Sequence, residues 1–155
     1  MQTDEDDALI QVFNHGSSIN HAGFLSDSQL YALSHDENFS IYQLSKPDGS
    51  PVEDLSANAM GDLREPLQCE YVVDCIASFG ENRAVLGAGS HSKNRLDLVP
   101  IVPRGSEIWT YDLMNSVSLA DAHGEEIVRS MFFDHQASTF ARSSLHWPKE
   151  ESPPI

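Results

Sequence analysis

Apolar and polar positions fall into short runs along this chain, and the clearest lie between Asn14 and Leu44. Ile19 to Leu25, Gln29 to Leu33 and Phe39 to Leu44 each read as a strand. Ser26-Asp27-Ser28 and His35-Asp36-Glu37-Asn38 separate them, and such residues bond their own backbone and favour tight turns. The three runs predict an antiparallel β-meander. A second set follows at Tyr71 to Ser78, Arg83 to Gly89 and Arg95 to Val102, with Ser90 to Asn94 as its turn. Ile108 to Leu113 and Val117 to Leu119 supply an outer portion. Pro100 and Pro103 are expected to limit pairing at the end of the third of these strands, because proline donates no hydrogen bond. A third set opens with Ile127 to Phe133 and starts a second strand at Ser138 to Ala141.

Between the sets the pattern weakens. Ser45 to Ala57 holds Pro47, Gly49 and Pro51 and reads as loop, with Val52 to Leu55 as a short outer strand inside it. Asn58 to Glu70 shows no clear period, and Pro66 is expected to end any helix begun there. Ala8 to Phe13 is a candidate outer strand of a preceding unit.

The sets repeat. His15-Gly16-Ser17-Ser18-Ile19 recurs as His123-Gly124-Glu125-Glu126-Ile127, an offset of 108 residues that also carries Phe24 onto Phe132. Half of it, 54, places Val73 between Ile19 and Ile127. Strand starts at equal spacing predict a tandem array of one supersecondary unit. The middle unit lacks the His-Gly pair, so the repeat is degenerate.

At these residues the chain resembles a WD-repeat β-propeller. In that family a His precedes the innermost strand, a Ser or Thr ends the second, an Asp two residues later makes the turn, and an aromatic-Asp pair ends the third. His15, Ser34, Asp36 and Tyr42 occupy those places, while Gln43 replaces the Asp of the terminal pair. Imidazole, hydroxyl, carboxylate and phenol can form one buried hydrogen-bond network across three strands. His123 repeats His15 as a structural histidine. Ser92 stands where the turn Asp of the second unit is expected, so that unit is expected to lack the network. More narrowly, Ser34 to Phe39, Asp62 to Glu65, Gly87 to Leu98 and Ala122 to Arg129 resemble the C-terminal half of the WD repeat-containing protein 89 family.

The resemblance implies an all-β fold: a partial WD-repeat propeller of between two and three blades with an incomplete ring. Its expected bounds are residues 8 to 141. Residues 1 to 7 read as a disordered acidic leader. Residues 142 to 155, with Pro148, Pro153 and Pro154 and no strand pattern, read as a disordered or foreign tail, the mark of a truncated product. A closed ring needs about four to eight blades.

Charge narrows the partners. The chain has 155 residues and a formal net charge of −15, from 24 acidic and 9 basic side chains. That balance repels nucleic acid and anionic membrane, because phosphate binding needs a basic surface. Proteins or peptides, basic ones above all, are the expected partners. Met1 to Asp7 is acidic where a signal peptide would be basic and then apolar, and no apolar run spans a membrane. An intracellular place, cytoplasm or nucleus, is expected.

No chemistry stands out. The seven histidines form no HExxH or Cys/His spacing, and Cys69 and Cys75 form no CxxC. Gly87 to Lys93 lacks the ending of a phosphate loop and joins two strands. Ser34, His35 and Asp36 are triad residue types, but neighbours on one turn cannot adopt triad geometry. No catalytic residue, metal or cofactor is expected. The chain reads as a non-catalytic protein–protein interaction scaffold. The acidic residues Glu53, Asp54, Glu125 and Glu126 and the aromatics Phe39 and Tyr42 are its candidate contacts. The alternative is a substrate receptor of a ubiquitin ligase, which in this family usually shows Arg or Lys two residues after the aromatic-Asp pair. Leu44-Ser45 and Leu113-Met114 do not fit that pattern.

Overall fold

The structure is a computed structural model that describes residues 11–45, 58–78, 83–105, 108–122, 124, 126–134 and 139–143. The acidic leader, the expected strand Val52–Leu55, Glu53, Asp54, His123, Glu125 and the tail from residue 144 lie outside the described residues.

The first meander forms as its alternation requires. Strands β1 (Ile19–Ser26), β2 (Gln29–Ser34), β3 (Asn38–Gln43) and β4 (Asn58–Asp62) make an antiparallel sheet in chain order. Residues paired across strands share a face. Tyr31 opposite Ile41 and Leu33 opposite Phe39 therefore build one face, and Ala22, Phe24, Leu30, Ala32 and Tyr42 the other. β4 comes from the stretch without a period. It is recruited by the free edge of β3, and Gly61, at φ +71°, takes the left-handed conformation beside the register shift there.

A one-turn helix, α1 (Arg64–Leu67), follows and contains Pro66 instead of ending at it. The N–H that proline lacks belongs to the first turn, where no intrahelical acceptor exists.

The second sheet holds β5 (Tyr71–Ser78), β6 (Arg83–Ser90), β7 (Arg95–Arg104), β8 (Ile108–Tyr111) and β9 (Val117–Ala120). β8 pairs with residues 101–104 of β7 and β9 with residues 95–98. The two are one outer strand, interrupted by the 3-10 turn Leu113–Asn115. The prolines do not stop the pairing. Pro100 lies opposite Val85 and its carbonyl accepts the Asp112 N–H at 2.8 Å, while Pro103 lies opposite Trp109. Proline loses a donor and keeps its acceptor.

The third unit is a hairpin of β10 (Ser130–Asp134) and β11 (Thr139–Ser143). β10 starts at Ser130, so Ile127 lies ahead of the strand, and β11 continues two residues past the expected boundary at Ala141. The 108-residue register is thus not kept. Because side chains alternate faces, an odd slip is enough to turn a strand's residues over. Met131 faces the second sheet and Phe132 faces away from it, on the far side from Phe24.

The sheets stack side by side about their first strands, β1 beside β5 and β5 beside β10. Tyr31, Leu33, Phe39 and Ile41 pack on Val72, Cys75, Leu86, Ile101 and Trp109 in the first seam. Val73, Leu96 and Leu98 pack on Ala122, Val128 and Met131 in the second. The described residues are nearly all-β and their sheets do not close, a propeller present in part.

Candidate functional site

Turns and connections gather at the end of the sheets where β1 and β5 begin. In the first sheet Ser34, fully buried at the end of β2, accepts the Asn38 N–H at 3.0 Å and donates to the Asp36 carboxylate. Ser17, ahead of β1, donates to the same carboxylate at 2.8 Å. These hydroxyls, Ser34 foremost, hold the Asp36 carboxyl below the usual carboxylate range. His15 is engaged elsewhere: its Nδ1 lies 2.8 Å from the Tyr42 hydroxyl, and Phe13 packs on the Tyr42 ring at 4.8 Å. The four residues expected in one network form two clusters, Ser34 with Asp36 and His15 with Tyr42. Asp36 stands exposed at the turn tip, where Glu37 takes φ +64°, and His15 lies over the sheet face that carries Tyr42. His15 Nε2 is buried without a hydrogen-bond partner among the described residues.

The second sheet rebuilds the turn contact with its parts exchanged. Ser90 is buried at the end of β6, as Ser34 is at the end of β2. The turn residue Ser92 donates its hydroxyl to the carboxylate of Glu70, ahead of β5, and its N–H lies 3.3 Å from both Glu70 oxygens. The first sheet has hydroxyl ahead of the strand and carboxylate on the turn; the second has the reverse. The expectation for this unit concerned the four-residue network; what its turn carries is a separate contact, Glu70 with Ser92, and only the fold shows that the two meet.

Adjoining contacts bind this end together. Glu37 accepts the Val72 N–H at 3.0 Å, and Leu63 N–H donates to the Glu37 carbonyl at 3.0 Å. Burial raises the Glu37 carboxyl despite the Val72 bond. Arg64 clasps Asp62 at 2.6 Å and holds that carboxyl down at about 2. Asp36, Asp62, Glu65 and Glu70 remain exposed around these contacts.

Two tyrosines cross the seams, each lying over a glycine on the neighbouring strand. Tyr31 sits opposite Gly23, where a Cβ would come within 2.9 Å of the ring, and its hydroxyl donates to Asp74 at 3.0 Å. Asp74 lies within the register shift of β5 and also has His21 Nδ1 at 3.6 Å. Tyr71 sits opposite Gly89, where a Cβ would overlap the ring, and its hydroxyl accepts the Val128 N–H at 3.0 Å. Neither pair carries a sequence signal, since a tyrosine and a distant glycine are unremarkable until register puts them opposite one another.

Of the candidate contact residues, Phe39 is corrected. It is 0 % exposed, stacked on Tyr31 in the first seam, and has no surface to offer. Its position in a strand that alternates inward decides this. Tyr42 is also buried, under Phe13 and beside His15. Glu126 is exposed and lies 3.5 Å from Arg129. Both cysteines are buried and free, and burial pushes the Cys69 thiol up to about 11. Among the described residues no group of three or more His, Cys, Asp and Glu is placed to hold a metal ion, and no helix is long and apolar enough to cross a membrane.

Side-by-side meanders, with a buried serine ending the second strand and a carboxylate bonded at the turn in each of the first two sheets, are features of a WD-repeat propeller, here in part. Comparison with known proteins agrees. Over 92 % of its length the chain is 32 % identical to a WD repeat-containing protein of Saccharomyces cerevisiae, and over 84 % it is 29 % identical to another of Schizosaccharomyces pombe. It is 27 % identical, over 92 % of its length, to the WD repeat-containing protein 89 homolog of Dictyostelium discoideum. The chain covers 34 % of the first of these relatives and 38 % of each of the others, so it matches a partial region of longer WD-repeat proteins. No family model and no solved structure matches it.

Proposed function

We propose that this chain is a non-catalytic interaction scaffold whose acidic end engages basic segments of other proteins. The observation that carries the reading is the set of exposed carboxylates Asp36, Glu65 and Glu70 around one end of two sheets, beside Asp62 in its pair with Arg64. That end is held by Glu37 on Val72 and Glu70 on Ser92. A backbone fixed by such bonds loses little entropy on binding. The net charge of −15 favours encounter with cationic partners. The WD-repeat relatives support an interaction role in general.

The test is fluorescence anisotropy with a labelled Lys/Arg-rich peptide, beside an acidic peptide of equal length. Binding of the basic peptide alone is expected, weakening with salt and with Glu65→Lys or Glu70→Lys. Equal binding of both peptides, or indifference to both substitutions, would reject the reading.

A further inference from the structure

We propose that His21 and Asp74 form a pH-sensitive clasp across the first seam, tightened when the imidazole takes up a proton. Both stand at irregular points of the first strands of adjoining sheets. From Ile19 to His21, β1 advances two residues while its partner on β2 moves one, from Ser34 to Leu33. From Val72 to Cys75, β5 advances three residues while its partner on β6 moves two, from Ala88 to Leu86. Each strand thus carries one extra residue, a β-bulge, and bulges re-aim the side chains beside them. Asp74 and Cys75 are successive residues, yet both reach the first seam: Cys75 lies in its core, and Asp74 meets Tyr31 of β2. His21 lies opposite Leu33, on the face that carries Tyr31.

The two oxygens of the carboxylate are engaged differently. Oδ1 accepts the Tyr31 hydroxyl at 3.0 Å and the Cys75 N–H at 2.7 Å. Oδ2 has His21 Nδ1 at 3.6 Å. That distance is too long for a hydrogen bond and short enough for an ion pair. A neutral imidazole turns to Oδ2 either a lone pair, which the carboxylate repels, or an N–H beyond bonding distance. The protonated ring carries an N–H on both nitrogens and a positive charge, and such groups close to about 2.7–2.9 Å from a carboxylate. The His21 and Asp74 side chains are 35 % and 23 % exposed, so solvent can deliver the proton to a pair that is only partly screened.

The titratable groups packed around the pair are Cys75 on β5 and Tyr31 on β2. Burial pushes both the Tyr31 phenol and the Cys75 thiol up, so both stay neutral and Asp74 supplies the charge that His21 meets. The clasp favours the charged ring. Its contribution is therefore present below the range of about pH 5 to 8 in which imidazoles titrate, and is lost as pH rises through that range. β1 and β5 are the strands by which the first and second sheets adjoin, so the pair acts on the coupling of those sheets. The acidic end takes no part in the clasp, and the two are tested separately.

The experiment is thermal unfolding of the full chain at about pH 5.5 and about pH 8, either side of the imidazole range. Parent, His21→Gln, Asp74→Asn and the double variant are compared. Asparagine keeps an acceptor for the Tyr31 hydroxyl and the Cys75 N–H, and glutamine is polar and uncharged at both pH values. The four-way cycle cancels the other titrating groups, the six remaining histidines included. The part of the Tm shift that depends on both residues is expected to be several-fold larger at the lower pH. A histidine with a merely structural role would give the same coupling at both. Equal coupling at the two pH values, or none at the lower one, would overturn the proposal. Should Asp74→Asn fail to fold, parent and His21→Gln are compared near pH 5.5 in low and high salt. The Tm gap between them is expected to narrow with salt, as for a partly exposed ion pair. No gap, or a gap that salt leaves unchanged, would overturn the proposal equally.

Discussion

His15 packs its imidazole against Tyr42, and that contact decides what its removal does. His15→Ala takes a hydrogen bond from a buried phenol and opens space beside the Tyr42 ring. A loss of about 1–3 kcal/mol is expected, the range for leaving one buried polar group unpaired. Urea melts of variant and parent check it. Two carboxyls at the turn end carry a pH dependence. Asp36 and Asp62 have carboxyls below their ordinary values, so they contribute stability above the unfolded carboxylate range that is lost as pH falls through the folded values. Glu37, raised by burial, works in the opposite direction and recovers stability as pH falls through its raised value. Thermal melts from neutral pH into the acid range should show a shallower loss for Asp36→Asn and a steeper one for Glu37→Gln. Parallel curves for all three proteins would contradict this assignment.

At the level of strands and turns, close approach of backbone and ring is the controlling feature. Gly89 lets the Tyr71 ring lie across β6 and reach Val128. Gly89→Ala forces that ring away and breaks its bond to the third unit. A cost of about 1–3 kcal/mol is expected, as for overpacking elsewhere. Hydrogen exchange should show the loss first at the Val128 amide, and unchanged protection there would count against the account. The strands themselves were legible: Ile19–Ser26, Gln29–Ser34 and Tyr71–Ser78 depart from expectation by at most one residue. β4 was not, because Asn58–Asp62 has no alternation and becomes a strand only through the edge of β3. The third unit's start was misplaced because His123 to Ile127 repeats the residues of the first unit, while the strand that follows is set by packing on Gly87 and Tyr71.

Across the whole molecule, cohesion lies in the seams. Trp109 is buried in the first seam, although it sits on the outer strand of the second sheet. Its indole N–H donates to Gln29 at 3.1 Å, and its carbonyl accepts from Asn58 at 3.2 Å. Trp109→Ala should cost about 3–5 kcal/mol, the range for deleting a buried aromatic. Its unfolding should shift the first and second sheets together. Independent transitions for the two would show that the seam does not couple them.

By itself the sequence determined the class of fold, the two meanders, and the placing of Ser34 and Asp36 at one turn. These follow from local alternation and turn chemistry, which neighbouring residues settle among themselves. Tertiary structure decided which side chains meet across distance: Glu70 with Ser92, Tyr31 with Asp74, and Phe39 sealed in a seam instead of offered to a partner. It also turned Phe24 and Phe132 to opposite open faces. Register and stacking fix those pairings, and a shift of one residue along a strand reverses every face, which a pattern of period two cannot report.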